Sequence, residues 1–370
     1  METNLGRSLS WLEPRDERFD WLNVAEWEAR GDGWQPVRVP KLWRDKWPAK
    51  TARRGMSAAG MAMRCRTNSQ QLVLSVTFVD SPDTSLATPA AGWERSRPNF
   101  FALYRDGKYM VSVAGLSHFE RQDLTIFNDK EISTEAEIQV LLPFYYRNAE
   151  VILHGVGIDA SARLLRPAPD HRTRVLFHGD SITQGHGVTS PRETFVQQVA
   201  DKLDCVGINY GFGGTAWADN IVAQTIAART DWDVLVIMLG TNSFAGTDAQ
   251  GKPETASQYA AKYDAFLATI RAAAPKKPIL CVTPILNRAD LDPGGNQNGE
   301  RPELYRDGIM RVVKQRQVDD PTLLLADGLA MVNDSLFLLV TDRVHPNDAG
   351  MNRIAEAVAT ALKPLLAALR

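Results

Sequence analysis

The sequence predicts two different folds in series, an all-β sandwich followed by a three-layer α/β/α domain. Up to about residue 166, apolar residues form strand-like runs with no helical period between them. After residue 173, short apolar runs alternate with stretches of helical periodicity. Residues 166–173 join the two regions and contain two prolines that flank a small residue, as in a stiff, non-helical connector. We therefore predict a sandwich domain over 1–166, a linker over 167–173 and an α/β domain over 174–370.

The composition is that of a globular protein. At 370 residues the chain is too long for one ordinary core, which agrees with two domains. Hydrophobic residues make up 44% and charged residues 23%, values that exclude a disordered or fibrous protein. The net charge of −2 gives no electrostatic reason to expect nucleic acid or an anionic membrane as a partner.

The sequence also bears on location and redox state. No run approaches about 18 consecutive apolar residues, so a membrane span is not expected. The first residues lack the apolar stretch of a secretory signal, and we expect a cytoplasmic protein, although a secreted chain trimmed of its signal would look the same. Cys65, Cys205 and Cys281 are odd in number and widely spaced, which argues against a disulfide framework or a zinc cluster. Buried free thiols are the expected state.

The sandwich is predicted from runs with alternating or β-branched residues. They lie over 71–79, 100–109, 136–142 and 150–158. Asp106 and Gly107 separate two strand-like arms, and both residue types tolerate the positive φ that a tight hairpin needs. We expect an antiparallel, jelly-roll-like sandwich.

The N-terminal region is rich in tryptophan. Six of the nine tryptophans fall within the first 50 residues: Trp11, Trp21, Trp27, Trp34, Trp43 and Trp47. They could form an aromatic platform for sugar rings, or they could seal the sandwich core and the domain interface. We favour the second interpretation, because large aromatic side chains commonly contribute to cores.

The α/β domain is predicted from five apolar strands that alternate with helices. The strands are expected over 175–177, 206–210, 233–239, 279–283 and 323–326. The helices are expected over 193–203, 218–228, 255–274, 302–317 and 348–369. Short apolar strands separated by helices indicate a parallel sheet covered on both faces. Five of them suit a doubly wound, flavodoxin-like strand order.

Polar residues cluster where these strands end. Ser181 follows the first strand, Gly214 follows the second and Asn242 follows the third. Asp342 and His345 follow the fifth strand, just before the last helix. The carboxyl ends of parallel strands meet at one edge of a sheet, where such folds bind ligands. A serine nucleophile needs a base, the base needs an orienting carboxylate, and the oxyanion needs donors. The sequence supplies a candidate for each.

These residues lie in motifs that resemble the four blocks of the SGNH (GDSL-type) hydrolases. Gly-Asp-Ser-Ile-Thr at 179–183 resembles the nucleophile block, and 209–214 resembles the glycine block. Gly-Thr-Asn at 240–242 and Asp-Arg-Val-His at 342–345 resemble the other two. The resemblance covers roughly residues 172–370, and four blocks in order at strand ends are a specific pattern.

The resemblance implies a role for each residue. Ser181 would be the nucleophile, His345 the general base and Asp342 its orienting acid. The oxyanion hole would consist of the amides of Ser181 and Gly214 and the side chain of Asn242. One position departs from the family, which often has Asp where this chain has Ser243, so the local hydrogen bonding there is expected to differ. The two-domain layout resembles family 2 carbohydrate esterases and related GDSL-type acylhydrolases.

Each of these residues also has an ordinary structural interpretation. Ser181 could be a helix N-cap, and His345 could be a surface histidine before a proline. Only His345 has a carboxylate at the matching offset among the six histidines, the others being His118, His154, His171, His178 and His186.

Four further residues lie within or beside the blocks. Asp180 is expected to brace the serine turn rather than act as an acid, and it is also a candidate for the substrate pocket. His186 is a candidate for the pocket lining, as is His178. Trp217 could form a wall of an acyl or sugar pocket, or it could be buried against the sheet.

Rival enzyme classes fit the sequence less well. Residues 211–216 match G-x-G-x-x-A, but they follow the second strand and no acidic residue ends the next one, which argues against a nucleotide-binding oxidoreductase. No G-x-S-x-G occurs, which argues against an α/β-hydrolase. His and Asp residues do not cluster at the spacing of metal ligands, which argues against a metal-dependent deacetylase.

The sequence therefore predicts a serine esterase that needs no cofactor or metal. The family resemblance implies that it would remove a small acyl group, with acetyl as the first expectation, from a sugar oxygen through an acyl-enzyme. Its partner would be a small-molecule or oligosaccharide ester, with no nucleic acid or membrane. The alternatives are a short-chain carboxylesterase or lysophospholipase-type acylhydrolase, and a carbohydrate-binding protein with an idle site. The oligomeric state is left open.

Overall fold

The computed structural model describes residues 8–79, 99–115, 120–130, 134–144, 150–246, 253–332, 338–340 and 342–369. The chain divides into two compact units. The first, called here the sandwich unit, comprises Met1–Lys41, Gly55–Asp170 and Ser190–Arg192. The second, called here the α/β unit, comprises Leu42–Arg54, His171–Thr189 and Glu193–Arg370.

The sandwich unit is built from antiparallel strands. These are β1 (Leu9–Leu12), β2 (Asp20–Leu22), β3 (Glu26–Arg30), β4 (Gly33–Val37), β5 (Ala62–Thr67), β6 (Gln71–Val79), β7 (Asn99–Arg105), β8 (Lys108–Gly115), β9 (Gln122–Asn128), β10 (Ala136–Leu141), β11 (Glu150–Asp159) and β12 (Leu164–Leu165). One six-stranded sheet has the order β3-β4-β11-β6-β9, with β1 paired to β11. The other has the order β12-β5-β10-β7-β8, with β2 paired to β5.

The two sheets share one hydrophobic core. Buried side chains of both sheets form a single cluster, which includes Leu74 and Val156 on one sheet and Met63 and Val140 on the other. The Asp106–Gly107 hairpin predicted from the sequence joins β7 to β8, and both residues have positive φ, 49° and 75°. The all-β prediction for this region is confirmed.

The tryptophans of this unit lie in different environments. The rings of Trp21 and Trp27 meet edge to face with centroids 5.0 Å apart and pack against the core. Trp34 lies beneath the guanidinium of Arg15, whereas Trp11 is 45% exposed. Sealing of the core therefore accounts for Trp21 and Trp27.

The α/β unit contains a five-stranded parallel sheet and its helices. Its strands are β13 (Arg174–Gly179), β14 (Val206–Gly211), β15 (Val234–Met238), β16 (Ile279–Val282) and β17 (Leu323–Ala326). The helices of the chain are α1 (Lys41–Arg44), α2 (Ala49–Arg54), α3 (Ser181–Gln184), α4 (Phe195–Leu203), α5 (Asn220–Ala228), α6 (Thr241–Ala245), α7 (Ala256–Ala273), α8 (Pro302–Arg316) and α9 (Asp348–Leu369).

The strand order is the doubly wound one that the sequence predicts. The sheet runs β14-β13-β15-β16-β17, and every pair is parallel. Helix α4 packs with α9, while α5, α7 and α8 pack in series, which gives two helical layers. All five residues of β15 are buried, as expected for a strand covered on both faces. The predicted fold class is confirmed.

Residues 42–54 pack with the α/β unit although they precede most of the sandwich strands. The Trp47 indole N–H donates to the Thr225 hydroxyl at 2.9 Å, and its ring contacts Phe212 edge to face with centroids 5.1 Å apart. The boundaries predicted from the sequence assign this segment to the sandwich domain. The structure groups it with the other unit because Trp47 and Arg54 are buried against Phe212 and Gly213, at the end of β14.

Two further expectations concern thiols and membranes. All three cysteines are buried thiols, as expected, and burial raises the pKa of Cys65 to about 12. Among the described residues, no helix combines the length and the apolarity needed to cross a membrane.

Candidate active site

A continuous hydrogen-bonded chain joins Ser181, His345 and Asp342. The Nε2 atom of His345 lies 2.7 Å from Ser181 Oγ, and its Nδ1 atom lies 2.6 Å from Asp342 Oδ2. Ser181 and His345 are separated by 164 residues, so only the tertiary fold brings them together. Ser181 is 7% exposed and His345 is 9% exposed, so the pair is largely shielded from bulk water. The structure brings together the three residues that the sequence predicts.

Ser181 is placed by the abrupt turn from β13 into α3. It is the first residue of that helix, and Asp180 is the N-cap, whose carboxylate accepts from the Ile182 amide at 2.9 Å. Asp180 therefore braces the serine turn, as predicted. Burial raises the pKa of Asp180, while its hydrogen bonds to the Ile182 amide and the Thr241 side chain and the charge of His345 oppose that rise.

His345 is placed by a tight turn that Asp342 organises. The Asp342 Oδ1 atom accepts from the backbone amides of Val344 and His345, at 2.7 Å and 3.0 Å. Arg343 adopts positive φ, 57°, within this turn. Burial alone would raise the pKa of Asp342, but the hydrogen bonds from the His345 ring and these amides lower it below its usual value.

Two backbone amides at the site are available as donors. Ser181 opens α3, and the first amides of a helix have no partner within the helix. Gly214 follows β14 with φ of 68°, and within the described residues its amide donates no hydrogen bond. Gly213 allows the close approach of this loop, since an added Cβ would lie 3.2 Å from Ser181 Cβ and 2.8 Å from His186 Cε1.

The side chain of Asn242 has a fixed orientation. Its Oδ1 atom accepts from the Ala216 amide at 3.1 Å. Because the acceptor end of the carboxamide is occupied in this way, the Nδ2 end remains as the donor. That the amides of Ser181 and Gly214 and the side chain of Asn242 together form an oxyanion hole stays a prediction from the sequence.

The glycine block is held by side chains of neighbouring elements. Gln184 Oε1 accepts from the Gly213 amide at 2.8 Å. Asn209 donates to the Thr183 carbonyl at 2.8 Å and accepts from the Gly211 amide at 3.0 Å. The G-x-G-x-x-A sequence at 211–216 therefore serves a turn beside Ser181.

His186, a predicted pocket residue, lies beside His345. It is buried, with its ring centroid 5.3 Å from that of His345. Burial lowers the pKa of His186 well below its usual value, and the charges of His345 and Arg54 add to this effect.

The remaining histidines occupy other places. His178 is buried within the sheet, where it bonds to a backbone carbonyl of β14, and burial lowers its pKa to about 4. His154 bonds to Thr77 of the sandwich unit. His171 is exposed, and His118 lies outside the described residues.

Trp217 and Ser243 are both buried near the asparagine block. Trp217 is 7% exposed, follows the residue that bonds to Asn242, and its indole N–H has no hydrogen-bond partner within the described residues. Ser243 is 3% exposed and lies beside the hydroxyl of Tyr259. Burial raises the pKa of Tyr259 well above its usual value, and the charge of Asp180 contributes to this rise.

Two residues near the site were absent from the sequence prediction, namely Trp47 and Arg54. Arg54 is 2% exposed, and its Nε donates to the Gly213 carbonyl at 2.8 Å. No sequence motif marks either residue, and 159 residues separate Arg54 from Gly213. The one sequence signal that could have pointed to Arg54 is a basic residue within a tryptophan-rich segment.

Comparison with known proteins agrees with this geometry. The family model of the GDSL-like lipase/acylhydrolase family matches residues 177–353, a range that includes Ser181 and His345. No curated protein matches the sequence significantly. The chain therefore contains a GDSL-like lipase/acylhydrolase domain. The protein is a hydrolytic esterase.

Solved structures resemble the whole chain. One is the salicylyl-acyltransferase SsfX3 from a tetracycline biosynthetic pathway, with TM-score 0.81, 19% identity, and coverage of 96% of this chain and 97% of that one. A family two carbohydrate esterase from Clostridium thermocellum has TM-score 0.62, 16% identity, and coverage of 94% and 99%. An acetyl xylan esterase, Est2A, from the rumen bacterium Butyrivibrio proteoclasticus has TM-score 0.61, 14% identity, and coverage of 97% and 99%. At these identities, the similarity establishes a shared fold.

Proposed function

We propose that this protein is a serine esterase that removes a small acyl group, acetyl in the first instance, from an oxygen of a carbohydrate. The reaction would proceed through an acyl-enzyme on Ser181. The single observation that carries the proposal is the chain of hydrogen bonds from Asp342 through His345 to the Ser181 hydroxyl, at 2.6 Å and 2.7 Å.

The first half-reaction forms the acyl-enzyme. Ser181 Oγ attacks the ester carbonyl carbon while its proton moves to His345 Nε2. The carbonyl oxygen becomes an oxyanion that accepts from the amides of Ser181 and Gly214 and from Asn242 Nδ2. The tetrahedral intermediate then collapses, the bond to the sugar oxygen breaks, and His345 returns its proton to that oxygen.

The second half-reaction regenerates the enzyme. A water molecule gives a proton to His345 Nε2 and attacks the acyl carbon, and the collapse of this intermediate releases the carboxylic acid and restores the Ser181 hydroxyl. Asp342 holds the His345 ring in the tautomer whose Nδ1–H points at the carboxylate, which leaves Nε2 free to accept the proton. No step requires a metal or a cofactor.

The surroundings of Ser181 support a small acyl group. Gly213 lies close to both Ser181 and His186, since an added Cβ would lie 3.2 Å from Ser181 Cβ and 2.8 Å from His186 Cε1, and both His186 and Trp217 are more than nine-tenths buried. An acyl chain next to the oxyanion donors would therefore meet side chains within a short distance. Trp217 is proposed to form a wall of this pocket, with its unpartnered indole N–H as a donor to a polar substrate group. The carbohydrate esterase folds named above support a sugar as the alcohol part.

The proposal is tested with the Ser181→Ala variant and a substrate series. We expect this variant to lose p-nitrophenyl acetate hydrolysis by at least about 10³-fold while keeping its circular dichroism spectrum. Rates on acetylated oligosaccharides and on p-nitrophenyl esters from C2 to C10 then rank the substrate classes. Preference for long acyl chains would instead favour a lysophospholipase-type acylhydrolase, and binding without turnover would favour a carbohydrate-binding protein.

A second candidate function is transfer of the acyl group to an alcohol other than water. It is favoured by the likeness to the salicylyl-acyltransferase, which extends over 96% of this chain. The chemistry differs only in the second half-reaction, where the hydroxyl of an acceptor replaces water and an ester is formed. Adding increasing concentrations of a candidate alcohol during p-nitrophenyl acetate turnover distinguishes the two, because transfer diverts the acetyl group from acetate into a new ester.

A further inference from the structure

We propose that Arg54 is a positioning residue for the oxyanion hole, because it holds the peptide group whose N–H is the Gly214 donor. The proposal rests on the function proposed above. It concerns a residue outside the four sequence blocks, contributed by the segment 42–54 that packs with the α/β unit.

Arg54 contacts one particular peptide group of the glycine block. Arg54 Nε donates to the Gly213 carbonyl oxygen at 2.8 Å. That carbonyl belongs to the same planar, trans peptide as the Gly214 amide, so the C=O and N–H bonds point in opposite directions. A donor that fixes the carbonyl on one side therefore also fixes the direction of the Gly214 N–H on the other side.

This peptide needs such a restraint more than its neighbours do. It lies between two glycines, and rotation of the peptide plane is sterically easy where neither residue has a Cβ. The Gly214 φ is 68°, and no atom lies within 4 Å of the place where its Cβ would be. A flipped peptide would direct the carbonyl oxygen, rather than the amide, at the developing oxyanion, and the two negative centres would repel each other.

The preceding and following peptides are already held by other groups. Gln184 accepts from the Gly213 amide at 2.8 Å, and the Thr215 amide donates to the Phe212 carbonyl at 3.2 Å. Within the described residues, Arg54 supplies the hydrogen bond to the peptide between them.

Arg54 is itself rigidly placed and electrostatically effective. It ends α2 and is 2% exposed, and Trp47 anchors the same segment on Phe212 and Thr225. A cation donating to a carbonyl in a poorly solvated site also polarises the peptide and strengthens its N–H as a donor. The charge of Arg54 also acts on His186. It helps to lower the pKa of His186, although burial and the charge of His345 have larger effects.

The test compares Arg54→Met, Arg54→Gln and Arg54→Lys in the full chain with p-nitrophenyl acetate. Active sites are counted by end-point labelling of Ser181 with a fluorophosphonate, so that rates refer to correctly folded enzyme. We expect kcat per labelled site to fall about 10- to 100-fold in Arg54→Met, with KM changed less than about threefold, because the oxyanion forms only in the transition state. Arg54→Lys, which keeps a charged donor, should recover part of this loss.

A second readout separates positioning from general support of the fold. The inhibition constant of a small alkyl boronic acid, which forms a tetrahedral adduct on Ser181, should rise in Arg54→Met by a factor similar to the loss in kcat/KM. Arg53→Met removes the neighbouring exposed charge and should match the wild type. If Arg54→Met does not fold, Arg54→Gln and Arg54→Lys carry the comparison.

The outcomes distinguish this proposal from the proposed function. Wild-type kcat per labelled site in the Arg54 variants, beside an inactive Ser181→Ala, overturns the role of Arg54 alone. Full activity of Ser181→Ala overturns the proposed function. A loss that appears only in KM, or one that leaves boronate affinity unchanged, also contradicts a positioning role.

Discussion

The Asp342 carboxylate binds His345 at two places, through the ring and through the backbone. One oxygen lies 2.6 Å from His345 Nδ1, while the other accepts from the His345 amide at 3.0 Å. The same carboxylate therefore shapes the turn that presents His345 and sets the orientation of its ring. This double contact leads to the first prediction.

Asp342→Asn should lower kcat by about 10³- to 10⁴-fold, because a carboxamide can favour the wrong imidazole tautomer and cannot stabilise the imidazolium. Asp180→Asn should lower kcat much less, since an amide oxygen can still cap the Ile182 amide. Steady-state kinetics on p-nitrophenyl acetate measures both variants. A larger loss in Asp180→Asn would mean that the orienting acid is misassigned.

The same two substitutions should change the pH dependence of stability in opposite directions. The pKa of Asp342 is lowered in the folded protein, so its contribution to stability is present above the unfolded value, about 3.9, and is lost as the pH falls through the folded pKa. Asp342→Asn should therefore be less stable than the wild type at pH 7, with the deficit shrinking toward pH 3.

For Asp180 the sign is reversed. Burial raises its pKa, so its contribution to stability is present below the unfolded value and is lost as the pH rises through the folded pKa. Asp180→Asn should thus gain stability relative to the wild type between pH 4 and pH 7. Urea unfolding at several pH values measures both differences, and parallel pH profiles for the two variants would contradict the assignment of their environments.

Asn242→Asp separates the two ends of the Asn242 side chain. The aspartate can still accept from the Ala216 amide, which Asn242 Oδ1 now does at 3.1 Å, but it has no donor for the oxyanion. We expect kcat to fall at least about 10²-fold with little change in KM. Asn242→Ala should lose both contacts and also become less stable. If Asn242→Asp and Asn242→Ala lost the same stability and both kept the wild-type kcat, the side chain would only support the loop.

The bond between Trp47 and Thr225 should stabilise the segment 42–54 on the α/β unit. Trp47→Phe removes the 2.9 Å hydrogen bond and should cost about 1 to 2 kcal/mol of unfolding free energy. Thr225→Val is the matched change on the partner, and the double variant should lose less than the sum of the single losses. Additive losses in the double-mutant cycle would mean that the two side chains are not energetically coupled.

The ion pair between Arg306 and Asp290 is predicted to anchor the loop that follows β16. Both side chains are largely buried, with contacts of 2.6 Å and 2.8 Å, and Arg306 also donates to the Pro284 carbonyl at 2.7 Å. Arg306→Met should cost about 3 to 5 kcal/mol, because it leaves a poorly solvated carboxylate without its cation. Adding Asp290→Asn should recover part of that loss, as measured by denaturant unfolding.

Much of the fold and site is predictable from the sequence because its signals are local. Each strand of the parallel sheet is a short apolar run, and the observed strands agree closely with the predicted ones. The candidate site is predictable for the same reason, since Ser181, Gly214 and Asn242 each follow such a run directly. Once the strand order is known, their proximity follows from the topology.

The segment 42–54 could not be predicted in this way. Helices α1 and α2 contain only four and six residues, too few to show a helical period. The contacts of Trp47 and Arg54 join residues 178 and 159 positions apart, and no local pattern encodes partners at such distances. The exposure of Trp11 could likewise not be predicted from the sequence, because exposure depends on the neighbouring strands rather than on the residue itself.

The discontinuous make-up of the α/β unit has a consequence for how the protein is synthesised and recombined. Residues 42–54 leave the ribosome long before Phe212 and Gly213, the groups that they will cover, have been translated. The early segment must therefore stay available until the late strands are complete. A gene fragment that begins at the interdomain linker would encode the sheet and all four motif blocks, yet it would omit Trp47 and Arg54. Exchanging the C-terminal half as an independent cassette should consequently give an enzyme with an incompletely covered glycine loop.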